Sequence, residues 1–362
     1  MMTHTERLKA VVAGKKVDRP AFVAWGPHFC LTDRYLDDFV NTTINYQNSY
    51  DFDFIKVMPN GMYFPEAFGQ KLEPASNWFE ETWRTTTKYL INDPHEWEKL
   101  KAPNIREGAL AREIEAVKRI CDYYQGTVPV LPTLFSPFVL MGEMTGGYCR
   151  QEIICAHFHY SEKYAKIGLE IVSEVNMKLA EAFVKAGADG FFLAYQGGLA
   201  GKLGKDLFEE LIKPKDIETI NLIRKDTWFN MAHVCNGNAE YFKWFLDYPV
   251  DAFNWADQHA GEMSLAEARK HTDKVLVGGL NHAMSRPWSI EDKILLKDDL
   301  SGTNRDEIKK HLKEKALNAI KAAGPKVVVS GGCSWGLGAL PRFHLYHEVM
   351  EEIGRELNGQ IQ

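Results

Sequence analysis

The stretch Ala186-Gly187-Ala188-Asp189-Gly190-Phe191-Phe192-Leu193-Ala194 closes a helix, turns tightly and opens a short apolar strand. Upstream of it, Tyr164, Ile167, Ile171, Val175, Leu179 and Phe183 recur at three- and four-residue steps. That spacing predicts an amphipathic helix over 161–186 whose apolar face packs on a sheet. The same order returns near the C-terminus. Ile308, Leu312, Ala316 and Ile320 form a second stripe, Gly324 supplies a helix stop with Pro325 beyond it, and a β-branched run begins at once.

Working outward, short β-branched or aromatic runs alternate with helical patterns along the whole chain. Eight strands are predicted, over 21–25, 54–58, 127–133, 190–194, 228–232, 251–255, 274–277 and 326–329. No Pro- or Ser-rich linker interrupts them, so residues 1–362 are expected to form a single (β/α)8 barrel, with an open doubly wound sheet as the rival arrangement. The segment 60–100, with Pro65, Pro74, Pro94 and several aromatics, is expected to be an irregular excursion at the active-site mouth.

The chain has 362 residues, 25% charged and 45% hydrophobic, with a net charge of -6, which excludes disordered, collagen-like and coiled-coil classes. Net acidity argues against nucleic acid or an anionic membrane surface as partner. The longest uncharged run, 123–142, is broken by Pro129, Pro132 and Pro137, so no membrane span is expected. The N-terminus carries charges where a signal peptide needs an apolar stretch, which makes a cytoplasmic location the expectation. Six sparse cysteines do not make a disulfide framework; a special cysteine here is a metal ligand or a nucleophile.

In a barrel of this kind reactive groups stand at the C-terminal ends of strands. There the sequence places His233 and Cys235 after the fifth strand and Cys333 after the eighth. One intervening residue in an extended segment puts His233 and Cys235 on the same side. One imidazole and two thiols suit a borderline-soft ion such as zinc, with a fourth position open for water or substrate. Tyr195, Asp257 and His282 follow the fourth, sixth and seventh strands and are candidate catalytic groups; Asn60, Tyr63 and Gln196 are candidate substrate-lining groups. Asp51, Asp53 and Lys56 read instead as a solvated or salt-bridged strand start.

Other patterns fall short. Cys155, His157 and His159 alternate, but a helix there would scatter them. Gly197-Gly198-Leu199-Ala200-Gly201-Lys202 lacks one residue of P-loop spacing, with Leu203 where Ser or Thr is needed. Asp257-Gln258-His259-Ala260-Gly261 is similar to a cobalt-ligating histidine motif, but its glycine arrives one residue early and no cofactor-carrying domain follows, so no tightly held corrinoid is read in this chain.

Arg7-Leu8-Lys9-Ala10, Val17-Asp18-Arg19-Pro20-Ala21-Phe22, Asp51-Phe52-Asp53, the 186–190 turn and the cysteine after the last strand together resemble the uroporphyrinogen decarboxylase superfamily over nearly the whole chain. Its decarboxylases carry an arginine-containing segment after the first strand; here the matching stretch 24–30 has no arginine before Arg34. Its zinc-dependent corrinoid methyltransferases carry His-x-Cys and a distant Cys as metal ligands, which match His233, Cys235 and Cys333. The resemblance therefore implies methyl transfer between a corrinoid-binding partner protein and a small donor or acceptor such as a thiol, folate or methyl ether. The residues around Cys333, Ser334-Trp335-Gly336-Leu337-Gly338, depart from the coenzyme M enzymes of the group. A uroporphyrinogen decarboxylase-like carboxy-lyase and a non-catalytic corrinoid-binding module are the alternatives.

Overall fold

The computed structural model describes residues 1–26, 29, 32–74, 84–147, 150–281 and 304–359. In chain order the strands are β1 (Ala21–Phe22), β2 (Ile55–Val57), β3 (Lys71–Pro74), β4 (Arg84–Lys88), β5 (Val130–Phe135), β6 (Gly190–Gln196), β7 (Phe229–Cys235), β8 (Ala252–Asn254), β9 (Val275–Leu280) and β10 (Val327–Gly331). Eight of them form a parallel sheet in the order β1-β10-β9-β8-β7-β6-β5-β2, and β3 pairs with β4 as an antiparallel hairpin. Each predicted strand is present, and the fold is the expected (β/α)8 barrel. The hairpin and the short helix Tyr63–Ala67 lie in the segment expected to be irregular.

Alternation along the strands divides the core. Phe229 and Met231 of β7 belong to the inner cluster, while Ala232 and Val234 pack in the layer between sheet and helices. Gly187 takes φ +102° in the αβ turn, a conformation that glycine adopts without a Cβ penalty. Helix Glu162–Lys185 buries Val175, Leu179 and Phe183 as expected. Its first half is rotated from the predicted face: Ala165, Gly168 and Leu169 are buried, and Ile167 and Ile171 only partly. The cause is Trp97, whose ring would lie 2.4 Å from a Cβ at residue 168.

The ring closes between β1 and β2 without a strand ladder among the described residues. Asp53 takes its place: its backbone N–H donates to Phe22 O at 3.0 Å, and its carboxylate accepts from Phe22 N–H at 2.8 Å. The same buried carboxylate accepts from Arg7 and Arg19, each at 2.7 Å, and lies 3.0 Å from His4 Nδ1. Burial works against its charge, but the cations, Arg19 foremost, hold it down at about 2. Asp53 is thus salt-bridged as expected but not solvated. Arg7, Asp18, Arg19 and Asp53 are four of the charged residues of the family-like motifs, and they form one ion-pair network at the N-terminal face of the barrel, opposite the strand ends that carry His233 and Cys235. Among the described residues no helix is long and apolar enough to cross a membrane.

Candidate metal centre

His233 and Cys235 are the last inward-facing residues of β7. Sequence reasoning set them just beyond the strand, but β6 and β7 stay paired in register from Gly190↔Phe229 to Gln196↔Cys235, so the ladder itself aims both side chains. Immediately after Cys235 the chain turns through Asn236 at φ 53°, a left-handed conformation that asparagine tolerates. A Cβ at residue 198 would lie 2.1 Å from Asn236 O, so Gly198 serves this close approach rather than a phosphate.

Cys333 comes from the loop after β10. That loop is clamped on two sides: Trp335 N–H donates to Trp25 O at 2.9 Å, and a Cβ on Gly332 would fall 2.3 Å from Ala256 Cα. The result places Cys333 Sγ 3.9 Å from Cys235 Sγ and 3.8 Å from His233 Nε2. All three ligand atoms lie within 4.8 Å of one another. Two thiolates at ordinary zinc distances around a tetrahedral ion are separated by roughly 3.8 Å, and a thiolate and an imidazole nitrogen by roughly 3.5 Å. The residues present therefore fit zinc.

The imidazole is oriented for that role. Asn254 Nδ2 donates to Val277 O at 2.8 Å and Gly331 O at 3.0 Å, which leaves its Oδ1 as an acceptor 2.6 Å from His233 Nδ1. The proton accordingly sits on Nδ1, and the Nε2 lone pair faces the thiols. The hydrogen bond with Cys333, and then burial, push the Cys235 thiol well above its ordinary value. Neighbouring thiols in such surroundings ionise when a cation takes up their charge.

The ligands open on a cavity of about 50 Å³ that is also lined by Lys56, Thr133, Phe192, Gln196 and Ser334. Lys56, on β2, is expected from the sequence to belong to a solvated or salt-bridged strand start, but it faces this cavity instead. Its ammonium stands 4.2 Å from the Phe192 ring centroid, 5.8 Å from that of Trp25 and 2.9 Å from Met58 Sδ. Burial pushes it down to about 7, partly opposed by Cys333 and Cys235. The available signal was the alternation of Phe54, Lys56 and Met58, which puts the lysine on an otherwise apolar inward face.

A model of the uroporphyrinogen decarboxylase (URO-D) family matches residues 3–285. The chain belongs to the uroporphyrinogen decarboxylase family. A methylcobamide:CoM methyltransferase, MtbA, from Methanosarcina acetivorans is 22% identical over 152 residues, 42% of this chain; the match spans less than half, 43%, of that relative. A methyltransferase from Methanosarcina mazei superposes with a TM-score of 0.75 at 16% identity, covering 97% of this chain and 99% of that one. A B12-independent methionine synthase from Shewanella sp. W3-18-1 gives 0.53 at 12%, covering 95% and 98%. The two structural likenesses concern the fold.

Around this candidate site the other expected residues distribute unevenly. Gln196 lines the cavity with the three ligands. Tyr195 borders it, but its ring stacks in the outer layer, 5.5 Å from Phe245 and 5.2 Å from Tyr248, whose hydroxyl donates to Asp216. Asn60 caps a turn, its Oδ1 accepting from Met62 N–H, and Tyr63 donates to Thr133 O. Asp257 Oδ1 accepts from Gly279 N–H at 3.0 Å, tying the end of β8 to β9. His282 lies outside the described residues. Cys155 and His157 fall on the helix Ile153–Tyr160, where Cys155 donates to Leu199 O and His157 Nδ1 accepts from Trp97 Nε1, so these two are engaged in packing.

Proposed function

We propose that this protein is a zinc-dependent methyltransferase that moves a methyl group between a corrinoid on a partner protein and a small acceptor or donor such as a thiol, folate or methyl ether. The observation that carries this reading is the convergence of His233, Cys235 and Cys333, whose ligand atoms all lie within 4.8 Å of one another, at the C-terminal ends of the barrel strands. The partial similarity to a methylcobamide:CoM methyltransferase supports the reaction class. Bound there, zinc would lower the pKa of a thiol or polarise an ether oxygen in its open position. The chain's own residues do the rest: Cys235 and Cys333 supply two anionic sulfurs, His233 supplies Nε2, and Asn254 holds that ring by its Nδ1 proton. Phe192, packed 4.9 Å from the imidazole between ring centroids, walls the cavity and limits water. Gln196 and Ser334 are the polar groups placed to orient a small substrate.

Elemental analysis of purified protein is expected to give about one zinc per chain, and Cys235→Ala and Cys333→Ala each to lose most of it. Demethylation of methylcobalamin with a panel of thiols, ethers and folates should require the same residues. Retention of both metal and methyl transfer by either variant would sink the proposal. The family's name supports a second reading, decarboxylation of a porphyrinogen; release of carbon dioxide from that substrate, with both cysteines dispensable, would establish it instead.

A further inference from the structure

Behind the end of β5, three deeply buried oxygens have no hydrogen-bond partner among the described residues: Ser173 Oγ, Asn176 Oδ1 and Asp216 Oδ1. The residues that carry them are at most 2% exposed. Ser173 and Asn176 lie one turn apart on helix Glu162–Lys185, hence on the same face, and Asp216 belongs to the neighbouring helix Lys213–Ile223. Both helices reach the same two residues of the chain. Asn176 Nδ2 donates to Phe135 O at 3.1 Å, which turns its Oδ1 away from that carbonyl, and the Asp216 carboxyl lies beside the Ser136 hydroxyl. Ser136 Oγ accepts from Phe138 N–H at 3.3 Å and keeps a second lone pair.

Asp216 is the charged member of this group. Its Oδ2 accepts from the Tyr248 hydroxyl at 2.8 Å, and among the described residues no cation pairs with it. The lysines of the same helix are committed elsewhere: Lys213 Nζ lies 3.0 Å from Glu209 and 2.8 Å from Asp247, and Lys215 Nζ 2.7 Å from Glu170. Burial pushes the Asp216 carboxyl up to about 7, opposed by the hydroxyls of Ser136 and Tyr248. A carboxylate buried without a counter-charge is strongly disfavoured. A water molecule would satisfy the neutral oxygens but bring no charge; a cation does both.

We propose that Asp216, Asn176, Ser173 and Ser136 form a binding site for one monovalent alkali cation, held by a single carboxylate and neutral side-chain oxygens. A donor set of oxygens without nitrogen or sulfur selects a hard ion. One carboxylate matches a single positive charge, whereas all-protein calcium sites recruit several and magnesium keeps its waters. The ion ties both helices to the end of β5, where Phe135 and the following Val139 wall the cavity beside the cysteines. This site is separate from the candidate metal centre and does not depend on the zinc reading.

The test uses the full-length protein dialysed into tetramethylammonium chloride, whose cation is too large for the site. Sodium or potassium chloride then replaces that salt at constant ionic strength while thermal unfolding is followed. At least one of the two is expected to raise the midpoint saturably by at least about 2 °C, as a ligand of the folded state does. The lower half-saturating concentration identifies the ion. Asp216→Asn, which keeps an acceptor for Tyr248 but no charge, should erase the shift. Ser173→Ala is the milder change and decides alone if Asp216→Asn does not fold: it should raise the half-saturating concentration at least about threefold. Equal midpoints of the wild type in all three salts, a shift retained in full by Asp216→Asn, or an unchanged half-saturating concentration in Ser173→Ala overturns the proposal. The readout is unfolding rather than zinc content or methyl transfer, so this site and the zinc methyltransferase reading stand or fall separately.

Discussion

At the scale of single residues, the candidate metal centre depends on an asparagine as much as on His233, Cys235 and Cys333. Asn254 is fully buried and spends both amide protons on backbone carbonyls of β9 and β10, so only its oxygen can meet the imidazole. Replacing it with alanine frees the ring to rotate and to exchange tautomers. Asn254→Ala is expected to lower zinc affinity by roughly 10–100-fold while leaving the three ligands in place; competition with a calibrated chelator measures this, and unchanged affinity would show that Asn254 is a strand-bridging group alone. His233, Cys235 and Cys333 were legible in the sequence because alternate positions on a strand share a side and because strand ends carry chemistry. Asn254 was not, since an asparagine inside a three-residue strand gives no local pattern. Lys56 was misread for a related reason: a lone lysine near a strand start is usually solvated, and only the flanking Phe54 and Met58 contradict that.

At the scale of elements, the ligand from β10 is positioned by a loop with almost no freedom. Gly332 passes so close to β8 that a methyl group would lie 2.3 Å from Ala256 Cα and 2.5 Å from Trp255 O, both backbone atoms that cannot swing aside. Gly332→Ala must therefore push the loop away from β8 and carry Cys333 with it. The expected result is zinc content well below one per chain, measured by elemental analysis, in a protein that still unfolds cooperatively; full zinc occupancy at wild-type affinity would refute the clamp. Helix and strand order was readable because apolar periodicity survives in a single sequence. Strand length was less so: β6 and β7 each extend beyond their predicted ends because pairing with a neighbour, not local propensity, sustains them. The rotated face of helix Glu162–Lys185 likewise reflects Trp97, a partner distant in sequence.

At the scale of the whole molecule, barrel closure rests on a cluster of charges that strand patterns could not announce, although the resembling motifs contain all of its members but His4. Asp53 joins β1 to β2 only while it is ionised and surrounded by Arg7, Arg19 and His4. Asp53→Asn should cost about 3–5 kcal/mol of stability, as expected when one member of a buried ion network is lost, and urea unfolding at neutral pH measures it. His4 adds a pH signature. Burial opposes its charge, but hydrogen bonds to Asp51 and Asp53 outweigh that and raise it to about 9 from an ordinary 6.5. A group whose folded value is raised contributes fully below the unfolded value and loses that contribution as pH rises through the folded one. The stability difference between wild type and His4→Gln is therefore expected to be largest below about pH 6.5, on the order of 1–3 kcal/mol, and to vanish above about pH 9. Asp18 and Asp53, both held near 2, act at the other end: their contribution is complete above the ordinary carboxylate value of 3.8 and is lost only as pH falls through about 2. Comparing the two proteins, rather than following the wild type alone, cancels the titration of Lys56, which runs through part of the same range. A difference that stays constant from about pH 6 to about pH 9.5 would mean that His4 contributes packing rather than charge to the seam, and that the arginines alone keep the barrel closed.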